Sequence, residues 1–362
     1  MAAAASGGPE VGRTVPSTSR VQTGYRLHEW GGTPRLEECA LPRPGPGEVL
    51  VEVEACGIGL TVLNCIDGQL SDDPGLLPRV PGHELAGRVV ESGPGADRSL
   101  RGRRIVAYFY LSCGTCPACA GGRQTRCERF GGWVGVHRDG GYAPFAVLPA
   151  ANAIPVPDSL DPVAATVVPD AVATPVHVCG ARAHVTPSDR VAVIGAGGGV
   201  GIHMVQVAGL YGARVAGLDL TDEKLAAIER LGATPVAAGQ LTGLDPALWP
   251  EGRPTVIVDL VGSEATLHWS AAALTPGGRL VVLTSFPDRR LELDPRDLVF
   301  REITVLGSRY ASWAEVSTAA ALVTSGQVRP VIGETVGPEG VLPLHERLKA
   351  GTLVGRGALA WR

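Results

Sequence analysis

The chain has 362 residues and a formal net charge of −4, with 45% hydrophobic and 19% charged residues. Its length exceeds the ~250–300 residues at which a single hydrophobic core stops growing, so two domains are expected. The 36 acidic residues offset 32 basic residues without a basic run, which argues against a nucleic-acid partner. No stretch approaches the ~20 apolar residues of a membrane span, which argues against a membrane protein.

The first part of the chain reads as short strands separated by Gly and Pro. Residues 1–22 are rich in Ala, Gly, Ser, Thr and Pro, without the basic start or apolar stretch of a signal peptide, and predict a flexible tail. Val alternates with Glu along Gly47–Gly59, which is typical of a strand with one buried face. Further strand-like segments follow up to residue 171 and favour a small β-barrel-like domain.

Residues 172–305 alternate between strand and helix patterns. An apolar strand, a Gly-rich turn, a helix and a second strand lie within Asp189–Leu220, and Thr221 is placed to cap the next helix. This alternation predicts an α/β domain with a doubly wound parallel sheet and right-handed crossovers. The pattern becomes mixed again over residues 306–362, which we expect to pack back onto the first domain.

The turn Val193–Gly201 has the glycine content and the strand–helix setting of a dinucleotide-binding fingerprint. The predicted cofactor contacts in this turn are Gly195, Gly197, Gly198, Gly199, Val200 and Gly201. Asp219 follows at the end of the second strand, where a carboxylate accepts hydrogen bonds from ribose hydroxyls and repels a 2′-phosphate. NAD(H) is therefore expected in preference to NADP(H). A plain flexible loop and a strand-capping Asp remain the alternatives.

Four of the eight cysteines form a local cluster with the spacing C-x2-C-x2-C-x7-C: Cys113, Cys116, Cys119 and Cys127. Four thiolates surround one Zn²⁺ tetrahedrally and leave no position for water, so the prediction is a structural zinc site. An iron–sulfur cluster also takes four thiolates, and four unligated thiols are the other alternative. A metal lobe in a long chain fits a reducing cytoplasm better than a disulfide-rich secreted scaffold.

These motifs together resemble the zinc-containing medium-chain alcohol dehydrogenase family. The resemblance rests on Pro81–Gly93 (PGHELAGRVVESG), the cysteine lobe, the fingerprint with Asp219, and "GRGAL" near the end of the chain. It implies a GroES-like β-barrel catalytic domain, residues 23–171 and 306–362, and a Rossmann NAD-binding domain, residues 172–305. It also implies a homodimer or homotetramer that acts on a small-molecule substrate.

The resemblance breaks at the family's catalytic zinc. The family's ligand cysteine is replaced by Gly59, although Thr61 retains the hydroxyl of the proton relay and Asn64 stands where a relay His is common. His83, Glu84 and Asp170 are retained as candidates for catalysis. They are also candidate ligands for an atypical second zinc, although Gly59 offers no side-chain donor to it. Whether this second zinc is bound stays open from the sequence.

The resemblance assigns several further residues. Phe109 and, beside the relay, Gly59 and Asn64 are expected to line the substrate pocket. Arg356 matches a cofactor-phosphate arginine, and further cofactor contacts are expected from Thr174, Lys224, Val261 and Gly262.

Three functions are compatible with these residues. The first is an NAD(H)-dependent oxidoreductase that transfers hydride between nicotinamide and an alcohol or ketone. The altered zinc segment also allows a zinc-independent reductase of an activated C=C or C=N bond, or a non-redox lyase or cyclase on the same scaffold. A nucleotide-binding protein without catalysis is disfavoured by the retained Thr61, His83, Glu84 and Asp170.

Overall fold

The computed structural model describes residues 21–238, 252–284 and 289–361. The strands are β1 Val21–Arg26, β2 Arg35–Ala40, β3 Glu48–Ile58, β4 Leu85–Ser92, β5 Arg104–Ala107, β6 Phe145–Pro149, β7 Ala153–Pro155, β8 Arg190–Ile194, β9 Arg214–Asp219, β10 Thr234–Ala237, β11 Val256–Asp259, β12 Arg279–Val282, β13 Thr304–Gly307, β14 Ile332–Val336 and β15 Arg356–Ala360. The α-helices are α1 Leu60–Ile66, α2 Pro117–Ala120, α3 Pro162–Ala165, α4 Ala173–His177, α5 Gly201–Leu210, α6 Asp222–Arg230, α7 Glu264–Ala273, α8 Pro295–Phe300, α9 Trp313–Thr324 and α10 Val341–Lys349.

The first sheet has seven strands and is built around β3. Its order is β14-β15-β3-β4-β5-β7, and β6 also pairs with β3. The Val side chains of β3 are buried whereas Glu52 and Glu54 are only half-buried, which confirms the alternation predicted from the sequence. β15 pairs antiparallel with β3, with Gly357 opposite Ile58. The C-terminal segment therefore completes the sheet begun by the N-terminal part, as expected.

The second sheet is parallel and has six strands in the order β10-β9-β8-β11-β12-β13. Its central strand β11 is buried at all four residues, because helices cover both faces of a parallel sheet. The Thr221 hydroxyl accepts a hydrogen bond from the Lys224 N–H, which confirms the predicted N-cap of α6. β13 spans residues 304–307 and so runs across the predicted boundary at 305/306.

Two other segments differ from the sequence expectations. The predicted tail, residues 1–22, lies outside the described residues except for Val21 and Gln22, which belong to β1. Residues Pro162–Arg182 form one helical run of 21 residues whose most apolar 18-residue window has a mean hydropathy of 1.3, so by length and composition this run comes closer to a membrane span than was expected from the sequence. Because 78% of its most apolar window is buried inside the protein, this run is explained as a core helix.

Candidate functional site

A cleft of about 1120 Å³ is lined by residues of both sheets and of the helical run 162–182. It opens where the carboxyl ends of β8 and β9 meet α1, which is the edge of a parallel sheet at which ligands bind. The predicted site residues that line it are Gly59, Thr61, Asn64, Phe109, Asp170, Thr174, Gly195, Gly198, Gly199, Val200, Gly201, Asp219, Lys224, Val261 and Arg356. Four of the predicted catalytic and cofactor-binding residues do not line it, namely His83, Glu84, Gly197 and Gly262, and neither do the four cysteines of the predicted structural zinc site.

The glycine-rich turn has the close backbone approaches that a dinucleotide cradle requires. A Cβ on Gly201 would lie 2.1 Å from the Gly195 carbonyl oxygen, and Gly195 itself has a positive φ of 77°. Side chains at these positions would fill the turn and force it apart. α5 begins at Gly201, so its free N–H groups and helix dipole face the cleft. The turn therefore fits the pyrophosphate of a dinucleotide.

Asp219 closes one end of this turn. Its buried carboxylate accepts hydrogen bonds from the Gly197 N–H at 2.8 Å and the Leu220 N–H at 2.8 Å. The Lys224 ammonium lies 3.4 Å from the same carboxylate. Asp219 thus both holds the turn in shape and presents a partly neutralised carboxylate to the cleft.

The C-terminal segment is fastened to the same turn. The Gly355 N–H donates to the Gly197 carbonyl at 2.9 Å. His203 on α5 bonds to the Gly199 carbonyl through Nδ1 at 2.7 Å and accepts from the Val331 N–H through Nε2 at 3.1 Å. These bonds set the position of the residue that follows Gly355, which is Arg356.

The cysteine lobe brings its four sulfurs together. The Sγ atoms of Cys113, Cys116, Cys119 and Cys127 lie within 4.8 Å of one another. Hydrogen bonds from the backbone N–H groups of Thr115 and Cys116 lower the pKa of Cys113 to about 5. Burial raises the pKa of Cys119 to about 12, and a cation bound beside this thiol favours its thiolate form. The donor set fits a closed, four-thiolate zinc site.

The second predicted metal cluster is buried and already contains a cation. His83, Glu84 and Asp170 place one nitrogen or oxygen atom each within 4.8 Å of the others. The Arg356 guanidinium binds Glu84 through two nitrogens, with Nε 2.9 Å from Oε2 and Nη2 against Oε1. Nη2 also donates to Asp170 Oδ2 at 3.0 Å. The sequence assigned Arg356 to the cofactor phosphate alone, and its contact with both carboxylates was missed.

Arg356 also occupies the space beside Gly59. A Cβ on Gly59 would lie 2.2 Å from Arg356 Cζ and 2.3 Å from Nη1. His83 is the third member of this predicted metal cluster. Its Nε2 atom is buried without a hydrogen-bond partner among the described residues and lies 3.8 Å from Asp170 Oδ2. One uncommitted nitrogen and two guanidinium-bound carboxylates do not fit a tetrahedral zinc, which needs at least three available protein ligands.

The ionisation of the two carboxylates follows their contacts. Burial disfavours the charged form of Asp170, but the charge of Arg356 and the nearby His83 outweigh burial and hold its pKa well below the usual range. At 3.8 Å the His83–Asp170 separation exceeds a hydrogen bond, so Arg356 is the principal cause. Burial raises the pKa of Glu84 despite the opposing effect of Arg356. Asp170 is further fixed by a 2.8 Å hydrogen bond from the Thr174 hydroxyl.

One side of the cleft is aromatic. Phe109 packs edge-on against His83 with ring centroids 4.6 Å apart and lies 4.0 Å from the Tyr310 ring. Arg309 lies over the rings of Tyr110 and two further aromatics at 5.0–5.7 Å. Tyr110, Arg309 and Tyr310 also line the cleft and were not identified from the sequence. Aromatic side chains with an arginine give only a general signal for a binding surface, so no local pattern marked them.

Comparison with known proteins identifies the family. Residues 45–158 match the alcohol dehydrogenase GroES-like domain, and residues 199–325 match the zinc-binding dehydrogenase family. An alcohol dehydrogenase of Geobacillus stearothermophilus is 31% identical over 91% of this chain and 96% of its own length. The chain belongs to the zinc-type medium-chain alcohol dehydrogenase family.

Two further relatives extend this result. An NAD-dependent alcohol dehydrogenase of Sulfolobus acidocaldarius is 28% identical over 92% of this chain and 98% of its own length. The cobalt- and zinc-bound thermostable alcohol dehydrogenase from Pyrobaculum aerophilum superposes with a TM-score of 0.85 at 30% identity, covering 94% of this chain and 99% of that structure. The predicted fold class, a GroES-like β-barrel domain with a Rossmann domain, is confirmed. The predicted enzyme class, an NAD(P)-dependent oxidoreductase, is confirmed as well.

Proposed function

We propose that the protein catalyses reversible hydride transfer between a nicotinamide dinucleotide and an alcohol or ketone. The observation that carries this proposal is a single cleft in which the glycine-rich turn and Thr61 face the same cavity. The alcohol dehydrogenases among the relatives favour this reaction over a lyase or cyclase, and an acryloyl-coenzyme A reductase at 28% identity makes reduction of an activated C=C bond the second candidate.

The residues of the cleft have different roles in the proposed reaction. The bound nicotinamide supplies the hydride acceptor or donor. The turn at Gly195–Gly201 and the two N–H groups of Arg356 Nη1, which have no acceptor among the described residues, bind the phosphates. Thr61, half-buried on α1, hydrogen-bonds to the substrate oxygen. In ketone reduction it gives its hydroxyl proton to that oxygen and takes a proton from water, and in alcohol oxidation the same transfers run in reverse. Phe109 and the neighbouring aromatic rings exclude water from the reacting carbon.

We propose that NAD(H) is preferred over NADP(H). Asp219 presents its carboxylate where the adenosine ribose is expected, and a negative charge there repels a 2′-phosphate. Lys224 lies 3.4 Å from that carboxylate and neutralises part of the repulsion, so the preference is expected to be moderate.

We propose one zinc per chain, held by the cysteine lobe in a structural role. All eight cysteines are free thiols in the structure, which supports a reducing compartment such as the cytoplasm. Because the lobe offers no open coordination position, its zinc takes no part in the reaction.

We propose a homodimer or homotetramer that forms through the β13 edge of the parallel sheet. β13 is the last strand of its sheet, and Val299 and Phe300 on neighbouring α8 are 67% and 72% exposed. Unpaired edge strands beside exposed apolar side chains favour association. Val299→Lys should shift the mass measured by light scattering towards the monomer, whereas the same change at Leu210, an exposed residue at the end of the mostly buried α5, should leave it unchanged.

The proposed reaction is tested by isotope transfer. NADH deuterated at C4 is incubated with a panel of ketones, and the alcohol product is analysed by mass spectrometry. Deuterium in the product supports hydride transfer, whereas turnover without deuterium identifies a lyase or cyclase.

Thr61→Val should lower kcat by roughly 10²-fold through loss of proton transfer, and Thr61→Ser should retain most of the wild-type kcat. Equal activity in the two variants would contradict the role of Thr61.

A further inference from the structure

We propose that the Arg356 guanidinium is the resident cation at the position where relatives of this family hold a catalytic zinc, and that this position binds no metal. The inference rests on the proposed function only in taking the cluster of Arg356, Glu84, Asp170 and His83 as the chemical end of the cleft. We call these four residues the arginine cluster.

The Arg356 guanidinium fills the space beside Gly59. Gly59 stands at the position of the missing ligand cysteine, and any side chain there would meet Arg356, with a Cβ 2.2 Å from Cζ and 2.7 Å from Nε. The Gly59 backbone has φ −139° and ψ 176°, an ordinary extended conformation that any residue adopts. The guanidinium, which Glu84 and Asp170 hold in place, and not the backbone therefore favours glycine at this position.

The Arg356 guanidinium also neutralises the buried carboxylates. Glu84 is 0% exposed, and Asp170 and Arg356 are also buried. Buried carboxylates must be compensated by a cation, and a fork of guanidinium N–H groups matches carboxylate geometry. Arg356 supplies this with two bonds to Glu84 and one to Asp170. A zinc ion at the same position would have to take both carboxylates from Arg356 and leave its positive charge buried beside the metal.

Most of the potential metal ligands already have hydrogen-bond partners. Among the described residues, His83 Nε2 is the one buried ligand atom of His83, Glu84 and Asp170 without such a partner. Zinc in protein sites takes at least three protein ligands. The oxygens that would serve as the other two are already bound to Arg356. The retained His83 and Asp170 therefore do not by themselves make a metal site.

The replacement changes what the site offers a substrate. A guanidinium donates hydrogen bonds but has no vacant orbital, so it does not coordinate an alcohol oxygen or lower its pKa as a Lewis acid does. Nη1 has no acceptor among the described residues and lies beside the positions that side chains on Gly59 and Gly199 would occupy, at 2.3 Å and 2.8 Å from their Cβ atoms. Its N–H groups are placed between the substrate side of the cleft and the glycine-rich turn.

The test is zinc per chain, measured by elemental analysis on protein dialysed with zinc and then desalted. Wild type should contain one equivalent, and His83→Ala should also contain one. Arg356→Met removes the guanidinium and releases both carboxylates, so it should bind a second equivalent. Arg309→Met is the matched control: it removes an arginine of the same cleft that contacts aromatic rings, and its zinc content should remain at one.

Two results would overturn the inference. One is wild type with two zinc ions, of which His83→Ala loses one. The other is an Arg356→Met protein that folds yet binds no second zinc. If Arg356→Met does not fold, wild type and His83→Ala still decide the question. NADH binding measured by fluorescence on the same samples separates this result from the proposed function, because absent NADH binding in a wild type with one zinc contradicts only the latter.

Discussion

The cysteine lobe and the arginine cluster gather negative charge in opposite ways. The lobe brings four sulfurs within 4.8 Å of one another and leaves the positive charge to be supplied by a metal ion. The arginine cluster brings two carboxylates and a histidine equally close, but takes its positive charge from its own chain. A set of ligand-type residues therefore predicts a metal only when no side chain already holds those ligands.

The largest effect is expected from removing the cation of the lobe. Cys116→Ser takes away one of four thiolates, so the site should lose its zinc. The three remaining cysteines would then lie close together without a metal ion. Because structural zinc contributes folding free energy directly, we expect unfolding free energy to fall by about 5 kcal/mol or more. Denaturant unfolding and elemental analysis measure both quantities.

The control for this variant is Cys39→Ser, a half-buried cysteine outside the lobe. It should keep its zinc and lose less than about 1 kcal/mol. A Cys116→Ser protein that retains a full equivalent of zinc would show that the metal is held elsewhere.

A smaller loss is expected when the arginine cluster loses one carboxylate. Glu84→Gln preserves the shape but leaves the buried guanidinium with Asp170 as its one charged partner in this cluster, and breaking a buried ion pair costs about 3–5 kcal/mol. The matched control is Glu54→Gln, whose partner Arg104 belongs to a less buried pair and should cost about 1 kcal/mol. Equal losses in urea unfolding would mean that Arg356 is not held as the structure indicates.

Local motifs explain why much of this molecule was predictable. The spacing of Cys113–Cys127 and the turn Val193–Gly201 lie within single short segments, and the alternation in β3 follows directly from its Val and Glu residues. The fold class followed because each domain has its own periodic pattern.

The arginine cluster was not predictable in the same way. Arg356 is 272 positions from Glu84 and 186 positions from Asp170, and nothing near Arg356 in sequence indicates that it meets them. Gly59 showed that a ligand was missing but not what filled the space. That answer required the pairing of β15 with β3, which brings Arg356 beside the end of β3.

A double-mutant cycle measures the coupling between Gly59 and Arg356. Gly59→Ala inserts a methyl group against the guanidinium and should destabilise wild type by about 1–3 kcal/mol, as overpacking does. In an Arg356→Met background the flexible methionine can move aside, so the same change should cost less than about 0.5 kcal/mol. The difference in unfolding free energy is the coupling between the two positions. Additive effects would place Arg356 away from Gly59.

The smallest effect is expected at a third charged pair, Asp219 with Lys224, which lies in the same cleft but outside both clusters. Its separation of 3.4 Å is longer than the bonds around Arg356, so its main contribution should be to cofactor choice and not to stability. Asp219→Asn keeps an acceptor for the Gly197 N–H and removes the charge that repels a 2′-phosphate. The ratio of the Kd values for NADPH and NADH should therefore fall by about tenfold, which corresponds to ~1.4 kcal/mol. Lys224→Met is the matched change on the other partner and should raise the ratio, because the carboxylate then repels without a countercharge. If both variants leave the ratio unchanged, Asp219 serves to shape the turn and the preference for NAD(H) has another origin.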